Sequence, residues 1–272
     1  MLPRETLAMM EALRAEGKQL PNIKLIKTPA QIEGIRRAGD VNTRVLDAVE
    51  REIAPGMTTE DIDRIVARET KALGGRCAPL GFEGFPKSVC TSTNDVVCHG
   101  IPSEKTVLRA GDIVNVDCTT EYGGYYGDAS RMFCIGDVSD EARRLVEVTR
   151  QSVNEALAHL APYTATLGDI GYYINTYVTQ FGYSVVRTIG GHGVGLAMHE
   201  DPYVCHVGRK GHGMTLVPGM VFTIEPMVNA GREEYDVRGK EAWEVYTRDG
   251  SLSAQWEHTV LITETGYEIL SY

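Results

Sequence analysis

The chain has 272 residues, of which 43% are hydrophobic and 24% are charged, as in ordinary folded domains. Acidic residues outnumber basic ones, 37 to 27, and the net charge of −10 excludes the basic surface typical of nucleic-acid-binding proteins. Apolar runs stay well short of the roughly 18 residues that a membrane span needs, and the charged N-terminal residues do not resemble a signal peptide. Its six cysteines form no C-x-x-C pair. We therefore expect a cytoplasmic protein with reduced thiols.

Hydrophobic periodicity predicts helix pairs followed by strands, twice along the chain. The elements predicted first are a short helix in an N-terminal arm (1–25), helices over 29–53 and 59–74, and strands over 112–118 and 125–135. The elements predicted next are helices over 145–157 and 170–182, and strands over 220–228, 243–246 and 255–262. Thr59 is the predicted N-cap of the second long helix.

The second half of the chain repeats a pattern of the first at an offset of 219 − 111 = 108 residues. The repeat pairs Leu108, Gly111 and Asp117 with Leu216, Gly219 and Glu225. His99 followed by Pro102 recurs as His199 followed by Pro202, at an offset of 199 − 99 = 100 residues, so each half brings a histidine and an acid. We expect one domain (26–272) of two similar halves, about 26–136 and 137–272, that face one central site. The alternative is a chance likeness between two unrelated segments.

Asp117 and Asp128 flank the glycine turn Tyr122–Gly124, and a hairpin there would set them opposite each other. Two carboxylates so close repel unless a cation or a proton lies between them. The alternative is a pair of solvated surface acids. Against it, Asp117 lies in the apolar run 113–116, where an unpaired acid is costly to bury.

Glu225 and Glu257 also interrupt strands that otherwise look buried. His192, in a glycine-rich run, adds a nitrogen donor where bare backbone permits close approach, although a lone histidine there is more often structural. Together the four acids and the histidine suit two divalent cations that share bridging carboxylates and activate a water for hydrolysis.

Five segments resemble the type I methionine aminopeptidases in order and spacing, from about Ile26 to the C-terminus. They read FPKSVCTSTNDVVCHGIP, NVDCTTEYGGYYGDASRMF, GGHGVGLAMHEDP, FTIEPMVNAG and SLSAQWEHT. The resemblance implies an α+β pita-bread fold, in which two pseudo-twofold-related halves form a central antiparallel sheet covered by helices.

The resemblance also implies the site. Its dinuclear metal ligands fall on Asp117, Asp128, His192, Glu225 and Glu257, with Asp128 and Glu257 bridging both ions. The donors favour Mn²⁺, Fe²⁺ or Co²⁺, and Zn²⁺ is also compatible. In the mechanism so implied, water activated by the metals attacks the scissile carbonyl and Glu225 shuttles protons. His199 stabilises the oxyanion, and His99 holds the substrate near its first peptide bond.

The implied methionine pocket is a soft, aromatic set that suits a thioether. Its residues are Cys77, Phe82, Phe85, Cys90, Met198 and Trp243, together with His99 and His199. Phe82 stands where the family commonly has tyrosine, and Met198 where an aromatic ring is common. Two further histidines, His206 and His212, are assigned to a surface loop.

The implied substrates are the N-termini of nascent polypeptides with a small second residue. The resemblance also implies a monomeric enzyme that associates transiently with the ribosome and binds neither nucleic acid directly nor a membrane. Aminopeptidase P and prolidase relatives carry a large N-terminal domain, whereas 25 residues precede the match here. Type II methionine enzymes carry an insertion for which the 225 − 199 = 26 positions leave no room. A catalytically dead, partner-binding relative would lack some of the metal ligands, all of which are present.

Overall fold

The computed structural model describes residues 4–239 and 242–272, so residues 1–3 of the predicted arm lie outside the described residues. The α-helices there are α1 (Arg4–Ala15), α2 (Pro29–Glu52), α3 (Thr59–Ala72), α4 (Asp140–Leu157) and α5 (Leu167–Thr179). The first strands are β1 (Arg76–Cys77), β2 (Cys90–Thr93), β3 (Val96–Cys98), β4 (Ile113–Tyr122), β5 (Tyr125–Cys134), β6 (Ser184–Val185), β7 (Gly191–Gly193) and β8 (Glu200–Val204). The remaining strands are β9 (Val221–Ile224), β10 (Met227–Asn229), β11 (Tyr235–Arg238), β12 (Glu244–Thr247), β13 (Ser253–Gln255), β14 (Glu257–Ile262) and β15 (Tyr267–Ser271).

The central sheet has nine strands, with the path β1-β4-β5-β14-β9-β7-β8 and with β2 and β15 joined to β4 and β14. Its strand pairs are antiparallel. Helices α2 and α3 share one hydrophobic cluster with β4 and β5, and α4 and α5 share another with β9 and β14. This sheet with its two helix pairs confirms the predicted α+β class.

The internal repeat is visible in the backbone. Isolated bridges join Thr58 to Val107 and, 108 residues later, Thr166 to Thr215. The amide of Leu108 donates to the Met57 carbonyl at 2.8 Å, and its counterpart Leu216 donates to Ala165 at the same distance. Equivalent positions in the two halves therefore make equivalent hydrogen bonds, as two structurally related halves require.

Helix capping follows the sequence with one shift. At α2 the Thr28 hydroxyl and the Gln31 side chain form a capping box, and Pro29 follows at the first helical position. At α3 the predicted cap, Thr59, is wrong by one residue, because Asp61 lies three positions after Thr58 and closes the box with it. The helix therefore begins at Thr59.

Two predicted strands are each divided in the structure. The strand predicted over 220–228 breaks at Glu225–Pro226, where the chain leaves the central sheet and β10 joins a small sheet with β6 and β13. Pro226 lacks the amide hydrogen that would continue the ladder. The strand predicted over 255–262 breaks at Trp256, where the chain passes from β13 in the small sheet to β14 in the central sheet. Glu225 and Glu257 therefore both lie where the chain crosses between sheets.

The arm helix α1 packs on the body through Met10 and Leu13, which are buried, whereas Leu7 is exposed. Within the described residues, no α-helix combines the length and the apolar character needed to cross a bilayer.

Candidate metal centre

The β4–β5 hairpin places Asp117 and Asp128 on one face of the sheet. The sequence predicted that they would lie directly opposite each other, and this is wrong. Asp117 pairs with Ser130, and Asp128 pairs with Thr119. The turn is centred between Gly123 and Gly124, with φ of 60° and 82°, because a two-residue hairpin turn of this type needs positive φ at both positions. The two acids are therefore diagonal neighbours.

The neighbouring strand brings Glu257 to the same face. Glu257 pairs with Ser130, which itself pairs with Asp117 on its other side, so these three side chains form a row across the sheet. His258 pairs with Ile224, and the same antiparallel register continued by one residue sets Glu225 beside Glu257. Strand pairing thus gathers acids that are up to 257 − 117 = 140 residues apart in the chain.

His192 reaches this group because glycines flank it. A Cβ atom on Gly191 would overlap the carbonyl of Thr223, and one on Gly193 would overlap the carbonyl of Asp201. With bare backbone, β7 fits closely between β8 and β9. The amide of His192 then donates to the Thr223 hydroxyl at 3.0 Å.

The ring of His192 is oriented for metal binding. Its Nδ1 lies 3.0 Å from the Gly193 carbonyl, which can only accept, so Nδ1 carries the hydrogen. Its Nε2 lone pair faces the acids, 3.7 Å from Asp128 Oδ2 and 3.5 Å from Glu225 Oε1. A backbone carbonyl that orients a histidine in this way is typical of metal ligands.

Burial makes the acids costly to ionise. It raises the pKa of Asp117 to about 7 and, with the negative charges of neighbouring acids, raises the pKa values of Asp128 and Glu257 well above their ordinary range. The pKa of Glu225 is raised in the same way, although the Thr223 hydroxyl opposes the shift. Burial also lowers the pKa of His192 to about 4, so that ring is neutral at neutral pH. A bound cation would offset the cost of ionising these acids.

The donors fit a divalent metal. Ligand atoms of Asp128, His192 and Glu257 lie within 4.8 Å of one another. Glu257 Oε2 is buried and has no hydrogen-bond partner within residues 4–239 and 242–272, as expected of an oxygen that coordinates a cation. The Thr119 hydroxyl donates to Asp128 at 2.8 Å, and the Thr223 hydroxyl donates to Glu225 at 2.6 Å. The Gln255 side chain donates to the other oxygen of Glu225 at 3.3 Å, whereas Asp128 Oδ2 is left to face an ion. A carboxylate-rich set with one imidazole suits Mn²⁺, Fe²⁺ or Co²⁺.

The repeat-related histidines flank the acids. The ring of His199 lies 4.3 Å from that of His192 and 5.1 Å from that of Phe82, measured between centroids. His99 has φ of 57°, a conformation that residues other than glycine rarely adopt, and its ring lies edge-on to Trp243 at 6.0 Å. Burial lowers the pKa of His99 to about 4, and the pKa of His199 is lowered by the same cause. Both rings are therefore neutral at neutral pH.

These residues surround one cavity of about 500 Å³. Its walls include all five predicted metal ligands and the predicted substrate residues Phe82, Phe85, Cys90, His99, Met198, His199 and Trp243. Cys77 does not line it, contrary to the sequence-based expectation. Cys77 pairs with Thr120 at the edge of the sheet and packs in the cluster beneath α2 and α3, so it lies on the other side of the pocket wall.

His206 also differs from expectation, since it is fully buried and not on the surface. Its Nε2 accepts a hydrogen bond from the amide of Glu225 at 3.1 Å, and burial lowers its pKa to about 3. The alternation of Pro202, Val204 and His206, all buried, is the signal that could have placed it inside. His212 is exposed, as predicted.

Other cavity residues were missed by sequence reasoning. They are Pro79, Glu83, Thr119, Ile189 and Gly190. Thr119 could have been found, because it follows Asp117 by two positions in the same strand and so faces the same side. The other four lie outside the strands, where no periodicity applies.

Comparison with known proteins places this geometry in context. Residues 33–264 match the model of metallopeptidase family M24. The chain is 46% identical to methionine aminopeptidase A of Synechocystis sp., covering 89% of this chain and 94% of that one, and 45% identical to methionine aminopeptidase of Escherichia coli strain K12, covering 90% and 93%. The crystal structure of methionine aminopeptidase from Rickettsia prowazekii superposes with a TM-score of 0.88 at 42% identity, covering 91% of this chain and 99% of that one.

Proposed function

Because the chain belongs to metallopeptidase family M24 and is a type I methionine aminopeptidase, we propose that its central cavity holds two divalent cations and hydrolyses the first peptide bond of chains that begin with methionine. The observation that carries the proposal is the convergence of four acids and one correctly oriented histidine in one cavity with an aromatic wall. That arrangement joins a metal site to a pocket of the right chemical character.

The ligands we assign are Asp117, Asp128, His192, Glu225 and Glu257. Asp128 and Glu257 belong to the compact group with His192, so these three residues would hold an ion together. We expect Mn²⁺, Fe²⁺ or Co²⁺ to be the working metal, with Zn²⁺ as an alternative, because the donors are mostly hard oxygens. Metal ions bound here supply Lewis-acid activation of water and of the scissile carbonyl.

The side chains provide the remaining chemistry. Glu225 lies in the cavity wall beside the other assigned ligands, where its carboxylate could take a proton from the attacking water and return it to the leaving amine. His199 is neutral and keeps one ring N–H to donate to the developing oxyanion. His99, beside Trp243, is in place to hold the substrate near its first peptide bond.

The methionine side chain would lie among Phe82, Phe85, Cys90, Met198 and Trp243. Phe85 and Trp243 meet edge-to-face with centroids 5.5 Å apart, which leaves flat apolar walls for a thioether. Close walls near the metals favour a small second residue. The expected natural substrates are nascent polypeptides, cleaved in the cytoplasm by a monomer in transient contact with the ribosome.

Peptide cleavage by the metal-reconstituted protein tests this function. Met-Ala-Ser should be cleaved at its first bond, and Met-Leu-Ser should lose orders of magnitude in kcat/KM because the bulky second residue clashes. The same peptide with an acetylated N-terminus is the matched control, since it lacks the free amine. Equal cleavage of the two free peptides, or no cleavage of either with metal present, would contradict the proposal.

A further inference from the structure

We propose that the buried ion pair between Lys27 and Glu200 positions the active-site loop that carries Met198 and His199, and so sets both turnover and the choice of the first residue. The inference rests on the proposed function for its kinetic consequences. Neither Lys27 nor Glu200 lines the cavity, so both are positioning residues.

Lys27 is a rigid anchor. It is 2% exposed, which is unusual for a lysine, and its ammonium group pairs with Glu200 Oε2. The backbone on either side is held as well, since the Lys27 amide donates to the Gly219 carbonyl at 2.8 Å and Ile26 forms a bridge with Met220. The next residue, Thr28, caps α2. The position of the ammonium group is therefore tied to the central sheet and to the longest helix.

Glu200 passes this constraint to the loop. Its Oε1 accepts hydrogen bonds from the amides of Leu196 at 2.6 Å and Ala197 at 3.1 Å, while Oε2 binds Lys27. Its backbone is paired with Gly193 in the sheet. The Glu200 carboxylate thus binds the start of the loop, while Glu200 itself forms the end of the loop. Met198 and His199 are the two residues between these bound positions.

Few other hydrogen bonds or packing contacts hold this loop within the described residues. Leu196 and Ala197 are exposed, so little burial holds that end of the loop in place, and the ring of His199 packs only against Phe82 and His192 among the aromatic contacts of the described residues. The side chain of Glu200 is 17% exposed, and a buried ammonium without its partner is strongly unfavourable. Loss of either charge should therefore release the loop and let His199 move relative to the scissile bond. A displacement of about 1 Å in such a group can cost on the order of 100-fold in rate.

The test compares Lys27→Met, Lys27→Arg and Glu200→Gln with the metal-reconstituted wild type. Glutamine keeps the acceptor oxygen for the loop amides and removes only the charge. We expect Lys27→Met and Glu200→Gln to lower kcat about 10- to 100-fold and to reduce the preference for Met-Ala-Ser over Leu-Ala-Ser, with bound metal unchanged. Lys27→Arg should restore most of the activity. Arg36→Met, which removes an ion pair to Glu268 outside the cavity, is the matched control and should leave kcat within about twofold.

An activity-independent measurement keeps the inference separate from the proposed function. In protein labelled with ¹³C-methyl methionine, the Met198 resonance, assigned through Met198→Leu, should shift and broaden in Lys27→Met and Glu200→Gln and stay unchanged in Arg36→Met. An inactive wild type would overturn the proposed function, whereas these spectra would still decide the role of the ion pair. An unchanged Met198 signal, or kcat within twofold of wild type in both charge variants, would overturn the inference; if Lys27→Met does not fold, Glu200→Gln decides alone.

Discussion

The backbone amide of Glu225 donates a hydrogen bond to Nε2 of His206 at 3.1 Å, at the point where the chain leaves the central sheet. Because Pro226 follows and the ladder ends there, His206 supplies the partner that a neighbouring strand would otherwise provide. His206 thereby fixes the backbone from which the Glu225 carboxylate reaches the cavity. Its Nδ1 is buried and has no hydrogen-bond partner among the residues that the structure describes.

We expect His206→Ala to lower the free energy of unfolding by about 1–3 kcal/mol, because it leaves a buried amide unsatisfied. Urea denaturation of the metal-free protein measures this without the contribution of bound metal. His212 lies in the same segment but is exposed. His212→Ala should therefore change the free energy of unfolding by less than about 0.5 kcal/mol. Equal effects of the two substitutions would show that the bond to Glu225 contributes little.

His199→Ala should lower kcat by roughly 100-fold or more, with a much smaller change in KM, because a donor to the oxyanion acts chiefly in the transition state. Steady-state kinetics on Met-Ala-Ser measures both parameters. Near-native kcat in a metal-loaded variant would remove His199 from the mechanism. His159→Ala, which alters a histidine stacked on Tyr173 away from the cavity, serves as the control.

Chelation should abolish activity, and Mn²⁺, Fe²⁺ or Co²⁺ should restore it in the wild type but not in Glu257→Ala at ordinary metal concentrations. Glu257 is central to the ligand group, so its loss weakens every ion held there. The metal-free variant should nevertheless melt no lower than the metal-free wild type, since one of four mutually repelling acids is gone. Metal analysis, peptide assay and calorimetry measure these effects. Full activity of rigorously metal-free protein would refute the mechanism.

Cys77 and Cys90 should respond differently to substitution. Cys90 lines the cavity, so Cys90→Leu should crowd the methionine pocket and raise KM for Met-Ala-Ser about 10-fold or more. Cys77→Val, in the cluster beneath the helices, should leave KM within about twofold and act on stability alone. Comparison of KM and melting temperature for the two variants tests the placement of the pocket wall. A larger KM effect at Cys77 would contradict it.

The sequence alone determined that two similar halves each carry a helix pair followed by strands, because the repeat at an offset of 108 residues and the hydrophobic periodicity depend on local order along the chain. The α+β fold class followed from the resemblance of the five segments to the type I methionine aminopeptidases. The same holds for the candidate ligands, since an acid such as Asp117 in an apolar strand needs a partner wherever the strand lies. The glycines around His192 indicated close backbone approach, and their neighbours in the structure account for it.

The tertiary structure decided what depends on strand register and on the crossing between sheets. The β4–β5 turn is centred at (122 + 125)/2 = 123.5, one residue beyond the (117 + 128)/2 = 122.5 that would set Asp117 opposite Asp128, so the two acids are diagonal neighbours. The change of sheet at Glu225 buried His206 where a surface loop was expected. Cys77 and Cys90 have similar local sequence character, but only one faces the cavity. The ion pair of Lys27 and Glu200 joins residues 173 positions apart. Local preferences cannot specify such a contact, because its partners meet only when both halves close around the site.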